Sequence, residues 1–232
     1  ATALPLPAAA EAILDGGGMD SLRSAEGFQI LESAGIPCAP FAEIRTPGDL
    51  ATFAARHCLP IVLKIDDAAI AHKSELGGVI LGLRTLAEAN SALGTLRCRH
   101  PKAPIIAQTM AEGTELILGM TTDPDFGPLI TLGLGGVFTE VFRDTVSLIP
   151  PISPGAALKA LQGLKGYPLL TGARGRKPAD LDALTTLIAR FSAFAVGAKD
   201  RIAEIEINPV LAGPDGAVAV DCIALKKAAK NA

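Results

Sequence analysis

The apolar residues of this 232-residue chain change period along its length, and that change limits the possible folds more than any other feature. Phe28, Leu31 and Ala34 recur at helical spacing over residues 24–34, and Gly35 followed by Pro37 ends the run. Thr46 caps a second helix, with Pro47 at its first position and Leu50, Phe53, Ala54 and His57 on one face. The period then shortens. Ile61-Val62-Leu63-Lys64-Ile65 and Val79-Ile80-Leu81-Gly82-Leu83 are brief and apolar, and read as strands either side of a polar segment, residues 66–78. Helical spacing returns over 85–96 through Leu86, Ala89, Leu93 and Leu96. Strands follow at 104–110, 114–121 and 129–132, the last two predicted as a hairpin across the turn-rich residues 122–128. Helices are expected over 154–164 and 178–194. Two closing strands, 202–211 and 217–222, flank Gly213-Pro214-Asp215-Gly216, whose Asp-Gly favours a tight reversal.

Composition excludes several function classes. With 21 Lys and Arg against 24 Asp and Glu, the net charge of −3 offers no basic excess for neutralising nucleic-acid phosphates. Hydrophobic residues are 49% of the chain, yet Gly, Pro or charge interrupts every run before the roughly 18 residues that a membrane span needs, so a soluble protein is expected. Cys38, Cys58, Cys98 and Cys222 are far apart and form no C-x-x-C pair, which argues against a zinc module or disulfide scaffold and for a reducing, cytoplasmic setting. The Ala/Pro-rich start lacks a basic leader and reads as a tail or linker over residues 1–20.

Three groups of residues could carry chemistry. Lys64 lies inside an apolar strand, where a buried ammonium calls for an anion or a polar partner; the alternative is an edge lysine reaching outward. His72-Lys73-Ser74-Glu75-Leu76-Gly77-Gly78 combines a base or nucleophile, a cation, a hydroxyl and two glycines. It suits a loop that wraps phosphate oxygens, or else an ordinary polar connection. In Glu204-Ile205-Glu206-Ile207-Asn208-Pro209 the alternation puts Glu204, Glu206 and Asn208 on one strand face, with Asp221 on the antiparallel partner. Such oxygen donors suit Mg²⁺, or a solvated sheet face. Gly133-Leu134-Gly135-Gly136 is glycine-rich without a full dinucleotide-binding spacing.

These blocks, taken in order with Gln108 to Glu115, Asp123-Pro124 and Phe126-Gly127-Pro128, resemble the ATP-grasp subunit or C-terminal ATP-grasp domain of the NDP-forming acyl-CoA synthetases, relatives of succinyl-CoA synthetase. The likeness covers about residues 26–225. It implies an α+β, two-lobed ATP-grasp fold, with a smaller lobe over 21–108 and a larger lobe with the Mg-binding hairpin over 109–232. It also implies ATP/ADP and Mg²⁺ as cofactors, and a CoA-binding alpha subunit or fused N-terminal region as partner, in a hetero-oligomer or longer chain. The reaction implied is a small carboxylic acid plus CoA plus ATP giving acyl-CoA, ADP and phosphate. Neither nucleic acid nor membrane is implied.

Residue by residue, the resemblance puts Lys64 on nucleotide phosphates, with Lys73, Ser74, Gly77 and Gly78 in the phosphate loop. Gln108 and Met110 fall in the adenine hinge and Glu115 near the ribose. Asn208 and Asp221 match magnesium ligands, Glu206 matches an acid beside the transferred phosphate, and His72 matches the histidine that relays the phosphoryl group. One departure is Asp66-Asp67-Ala68-Ala69-Ile70, where relatives often carry Ser-Pro. A regulatory, catalytically degenerate ATP-grasp module of a fused protein acyltransferase is the competing expectation. A stand-alone carboxylate-amine ligase would need a second substrate-binding domain that this length does not hold.

Overall fold

The computed structural model describes residues 2–16, 20–70, 73–123, 125–136, 144–175 and 177–227. The chain divides into two compact units. The smaller comprises residues 23–25 and 39–111, the larger 1–22, 26–38 and 112–232.

In the smaller unit, strands β2 (Phe41–Glu43), β3 (Ile61–Ile65), β4 (Val79–Leu83) and β5 (Ile105–Thr109) form a sheet of order β2-β5-β3-β4, antiparallel throughout. Helices α3 (Pro47–His57) and α4 (Leu86–Arg99) start where the sequence predicts. The Thr46 hydroxyl accepts from Asp49 N–H and the Asp49 carboxylate accepts from Thr46 N–H, a reciprocal cap that satisfies donors the helix cannot. Leu50 and Phe53 of α3 and Leu93 and Leu96 of α4 pack on Ile61, Leu63, Ile65, Ile105 and Ala107, one face of the sheet. The period-2 rule puts Val62, Lys64, Ile106 and Gln108 on the other face, and all four are buried.

The larger unit is built on β1 (Ser21–Leu22), β6 (Thr114–Asp123), β7 (Gly127–Leu134), β8 (Thr145–Leu148), β9 (Ile202–Gly213), β10 (Gly216–Ala219) and β11 (Cys222–Lys226). The sheet order is β1-β11-β9-β6-β7-β8, with β10 also on β9. The predicted 122–128 hairpin is present as β6-β7. Helices α5 (Pro154–Gln162), α6 (Tyr167–Leu170) and α7 (Leu181–Ala198) follow β8 in the chain. At 18 residues α7 is long and apolar enough to cross a membrane, contrary to the expectation that no stretch would be. It is instead a core helix, burying Leu184, Leu187, Ile188, Phe191 and Phe194 and packing on strands β6, β7, β9 and β10.

Three further expectations change. The predicted tail contains helix α1 (Ala8–Asp15), which buries Ala10 and Leu14; ahead of it, Leu4 N–H donates to the Ala193 carbonyl on α7. Residues 26–38, most of helix α2 (Ser24–Ser33) among them, belong to the larger unit rather than the smaller. Gly27 of α2 lies so close to Cys222 that a Cβ would come within 2.7 Å of its sulfur, and Ala219 N–H donates to the Pro37 carbonyl. The expected last strand is two strands. Ala219 opposes Val210 and Cys222 opposes Ile207 in one continuous register, but Pro209 between them has no N–H to give the ladder.

Candidate functional site

Lys64 occupies a strand whose five residues are all buried. An ammonium there needs a polar partner, and Lys64 Nζ donates to Gln108 Oε1 at 2.7 Å. Gln108 is on the neighbouring strand β5, opposite Val62, so it lies diagonal to Lys64 on the shared face. Its Nε2 donates to the Ala39 carbonyl at 3.3 Å. The side chain expected in the adenine hinge is thus fully enclosed and engaged at both ends. Met110, two residues on, is exposed.

The loop after β3 is held differently from the phosphate cradle expected of it. Lys73 is buried, its ammonium donating to the Ser24 hydroxyl at the start of α2 and acting on the Asp66 carboxylate. Asp66 is fully enclosed at the end of β3, and both its oxygens accept from Ala25 N–H at 3.4 Å. Burial pushes the Asp66 carboxyl up from its ordinary range; Lys73, the Ala25 and Ser24 amides and Arg23 oppose that push. Gly77 N–H donates to Ser74 O and Gly78 N–H to Lys73 O, so both amides serve the loop itself. Gly77 adopts φ +64°, and a Cβ on Gly78 would lie 2.5 Å from Ile65 Cδ1, which explains both glycines without a ligand. Ser74 is exposed. His72 lies outside the described residues. Asp66 and Ser24 are partners that sequence reasoning missed; an acid directly after a strand that is apolar but for Lys64 was the available signal.

In the larger unit, β9 alternates as predicted: Ile205 and Ile207 are buried, while Glu206 is half-buried and Asn208 exposed. The break opposite Pro209 leaves Asp221 in register with Asn208, and Asn208 N–H donates to the Asp221 carbonyl at 3.3 Å. Asn208 Nδ2 donates to Glu206 Oε1 at 3.1 Å, and Asp221 Oδ1 accepts from Cys222 N–H at 3.0 Å. Residues opposite each other in such a ladder share a face, so two carboxylates and an amide line one stretch of sheet. All three carry hard oxygen donors of the kind Mg²⁺ prefers. Among the described residues no three His, Cys, Asp or Glu side chains form a metal-holding group on their own, so an ion at this place would need the Asn208 amide, water or a ligand's oxygens.

Glu115, near the start of β6, is exposed, and its carbonyl accepts from Gly135 N–H at 2.7 Å. A Cβ on Gly135 would lie 2.9 Å from Glu115 Cβ, and one on Gly136 would lie 3.0 Å from its Oε2. The glycine-rich stretch Gly133-Leu134-Gly135-Gly136 therefore packs against the acid expected near a ribose.

Residues 14–224 match the ATP-grasp domain. The chain is 37% identical over 204 residues to the beta subunit of acetate–CoA ligase [ADP-forming] I of Pyrococcus furiosus, covering 84% of this chain and 88% of that subunit. It is 38% identical over 218 residues to acetate–CoA ligase [ADP-forming] I of Archaeoglobus fulgidus, of which it spans 31%. Among solved structures it is similar to acetyl-coenzyme A synthetase 1 of Ca. Korarchaeum cryptofilum, in complex with coenzyme A and Mg-AMPPCP and with its phosphohistidine segment pointing towards the nucleotide binding site. That match has a TM-score of 0.78 at 34% identity and covers 90% of this chain and 93% of that one.

Proposed function

This chain belongs to the ATP-grasp family, and from that membership we propose that it is the nucleotide-binding half of an ADP-forming acyl-CoA synthetase. The observation that carries the reading is coverage: the chain spans 88% of a free beta subunit but 31% of a fused ligase, the extent of one functional part. A CoA-binding alpha subunit, or a fused region in its place, supplies the rest. Four free cysteines suit a cytoplasmic enzyme.

Phosphoryl transfer asks a protein chiefly for positioning and charge neutralisation. The buried ammonium of Lys64 serves the nucleotide phosphates, and Met110 and Glu115 serve the adenine and ribose. Asn208 and Asp221 would hold Mg²⁺, which supplies charge neutralisation at the phosphates when bound; Glu206 stands beside them. His72 accepts the terminal phosphoryl group: an imidazole nitrogen forms the N–P bond as the bond from phosphorus to the bridging oxygen breaks, and ADP departs with that electron pair. A phosphohistidine segment in a relative 34% identical supports this role.

Calorimetric titration of the whole chain with ATP, with and without Mg²⁺, tests the reading. Magnesium-dependent binding, weakened in both Lys64→Ala and Asp221→Asn, is the expected result. A folded chain that binds no ATP, or binds it equally well after both changes, overturns it.

A further inference from the structure

Gln108, expected in the adenine hinge, is enclosed between Lys64 and the Ala39 carbonyl. We propose that Gln108 is a positioning residue for the proposed nucleotide site: it holds the Lys64 ammonium in place for phosphate without cancelling its charge. The inference rests on the nucleotide-binding reading above and adds to it a residue that acts through another.

The argument begins with donors and acceptors. A lysine ammonium only donates, and a main-chain carbonyl only accepts. Between Lys64 Nζ at 2.7 Å and the Ala39 carbonyl at 3.3 Å, an amide fits in one orientation alone, oxygen towards lysine and nitrogen towards Ala39. Reversing it would set two donors face to face at Lys64 and two acceptors face to face at Ala39. Glutamine is also the side chain whose charge suits the task. A glutamate of the same length would neutralise the ammonium and meet the Ala39 carbonyl with a second acceptor. An aliphatic residue would remove one acceptor from the ammonium of a lysine only 7% exposed. A neutral acceptor anchors Nζ without itself neutralising the ammonium.

The sheet supports this geometry. Lys64 and Gln108 lie on adjacent strands, on the face opposite the helix-packed core, with Val62 and Ile106 buried beside them. Apolar neighbours lower the local dielectric, so the Nζ to Oε1 bond is stronger than an exposed one and restricts a side chain that otherwise has many rotamers. Preorganising a cation in this way lowers the ordering cost when the phosphates arrive.

A double-mutant cycle on the full chain tests the proposal, using Lys64→Met, Gln108→Met and the double variant, each titrated with Mg-ATP. Gln108→Glu, which preserves shape, guards against misfolding, and far-UV circular dichroism checks every variant. Gln108→Met should weaken ATP binding by roughly tenfold, the scale of a lost hydrogen bond to a charged group. In the Lys64→Met background it should have almost no further effect. Gln108→Glu should weaken binding more, and increasingly from AMP to ADP to ATP, since the lost charge is felt by each added phosphate. A residue that touched adenine would instead give additive losses and equal losses for the three nucleotides. Additivity, equal losses, or unchanged ATP affinity in both Gln108 variants would overturn the proposal, whereas failure of the unmutated chain to bind any nucleotide would overturn the functional reading beneath it.

Discussion

Lys73 shows how a side chain's type can be legible while its use is not. Its place in His72-Lys73-Ser74 marks a cation beside a nucleophile, but burial against Ser24 and Asp66 makes it the counter-charge of an enclosed carboxylate. Asp66 lies close by in the sequence, but the Ser24 contact that completes the pairing comes from 49 residues away along the chain. Lys73→Met should cost about 3–5 kcal/mol at neutral pH, since it strands a buried Asp66 without its cation. The pH dependence has a definite sign. The Asp66 carboxyl is already raised in the folded state, and removing Lys73 raises it further. A raised carboxyl adds most to stability below its unfolded value, and that contribution is lost as pH rises through the folded one. The gap in melting temperature between Lys73→Met and the unmutated protein should therefore narrow on acidification from pH 7 towards pH 4.5. A gap independent of pH would mean that Asp66 is not the group left exposed to the change.

At the scale of elements, α3 begins at the predicted Thr46 cap and α4 within the predicted 85–96 run, because capping and apolar periodicity are properties of a few adjacent residues. The Asp49 carboxyl is held below its ordinary range by the Thr46 amide, the Thr46 hydroxyl and the Arg45 amide. A lowered carboxyl contributes stability above its unfolded value, and the contribution disappears as pH falls through the folded one. Asp49→Ala should thus lower the melting temperature at pH 6, with the difference shrinking below about pH 4. A difference that persisted in acid would locate the effect in helix propensity rather than the cap. Strand β9, which carries Glu206 and Asn208, was equally readable from alternation. What escaped was long-range. The Ala-rich α1 buries just Ala10 and Leu14, too sparse a pattern to distinguish from a linker. The assignment of residues 26–38 to the larger unit depends on contacts with Ala219 and Cys222 nearly 200 residues on. Pro209 was visible in the sequence, but its effect of dividing the final strand and leaving Asp221 at the break depends on which partner it faces.

For the whole molecule, the proposed division of labour with a CoA-binding partner sets the kinetics to be expected. A nucleotide half that passes its phosphoryl group to His72 has completed its own chemistry once the imidazole is occupied, because acid and CoA meet the group elsewhere. The 232-residue chain alone, mixed with Mg-ATP, should release about one equivalent of ADP in a burst and then stop, the fingerprint of a covalent intermediate with no acceptor. The retained phosphoryl group should be labile to acid and stable to alkali, and His72→Ala should abolish the burst while leaving ATP binding in place. Adding the CoA-binding subunit with acid and CoA should convert the burst into steady turnover, since each transfer to the acyl group returns His72 to its neutral, nucleophilic form. Steady ADP release without the partner would point to water as the acceptor and to a hydrolase. Binding without any burst would favour a regulatory module, for a site that keeps Lys64 and its magnesium ligands yet never moves phosphorus has retained recognition and lost transfer.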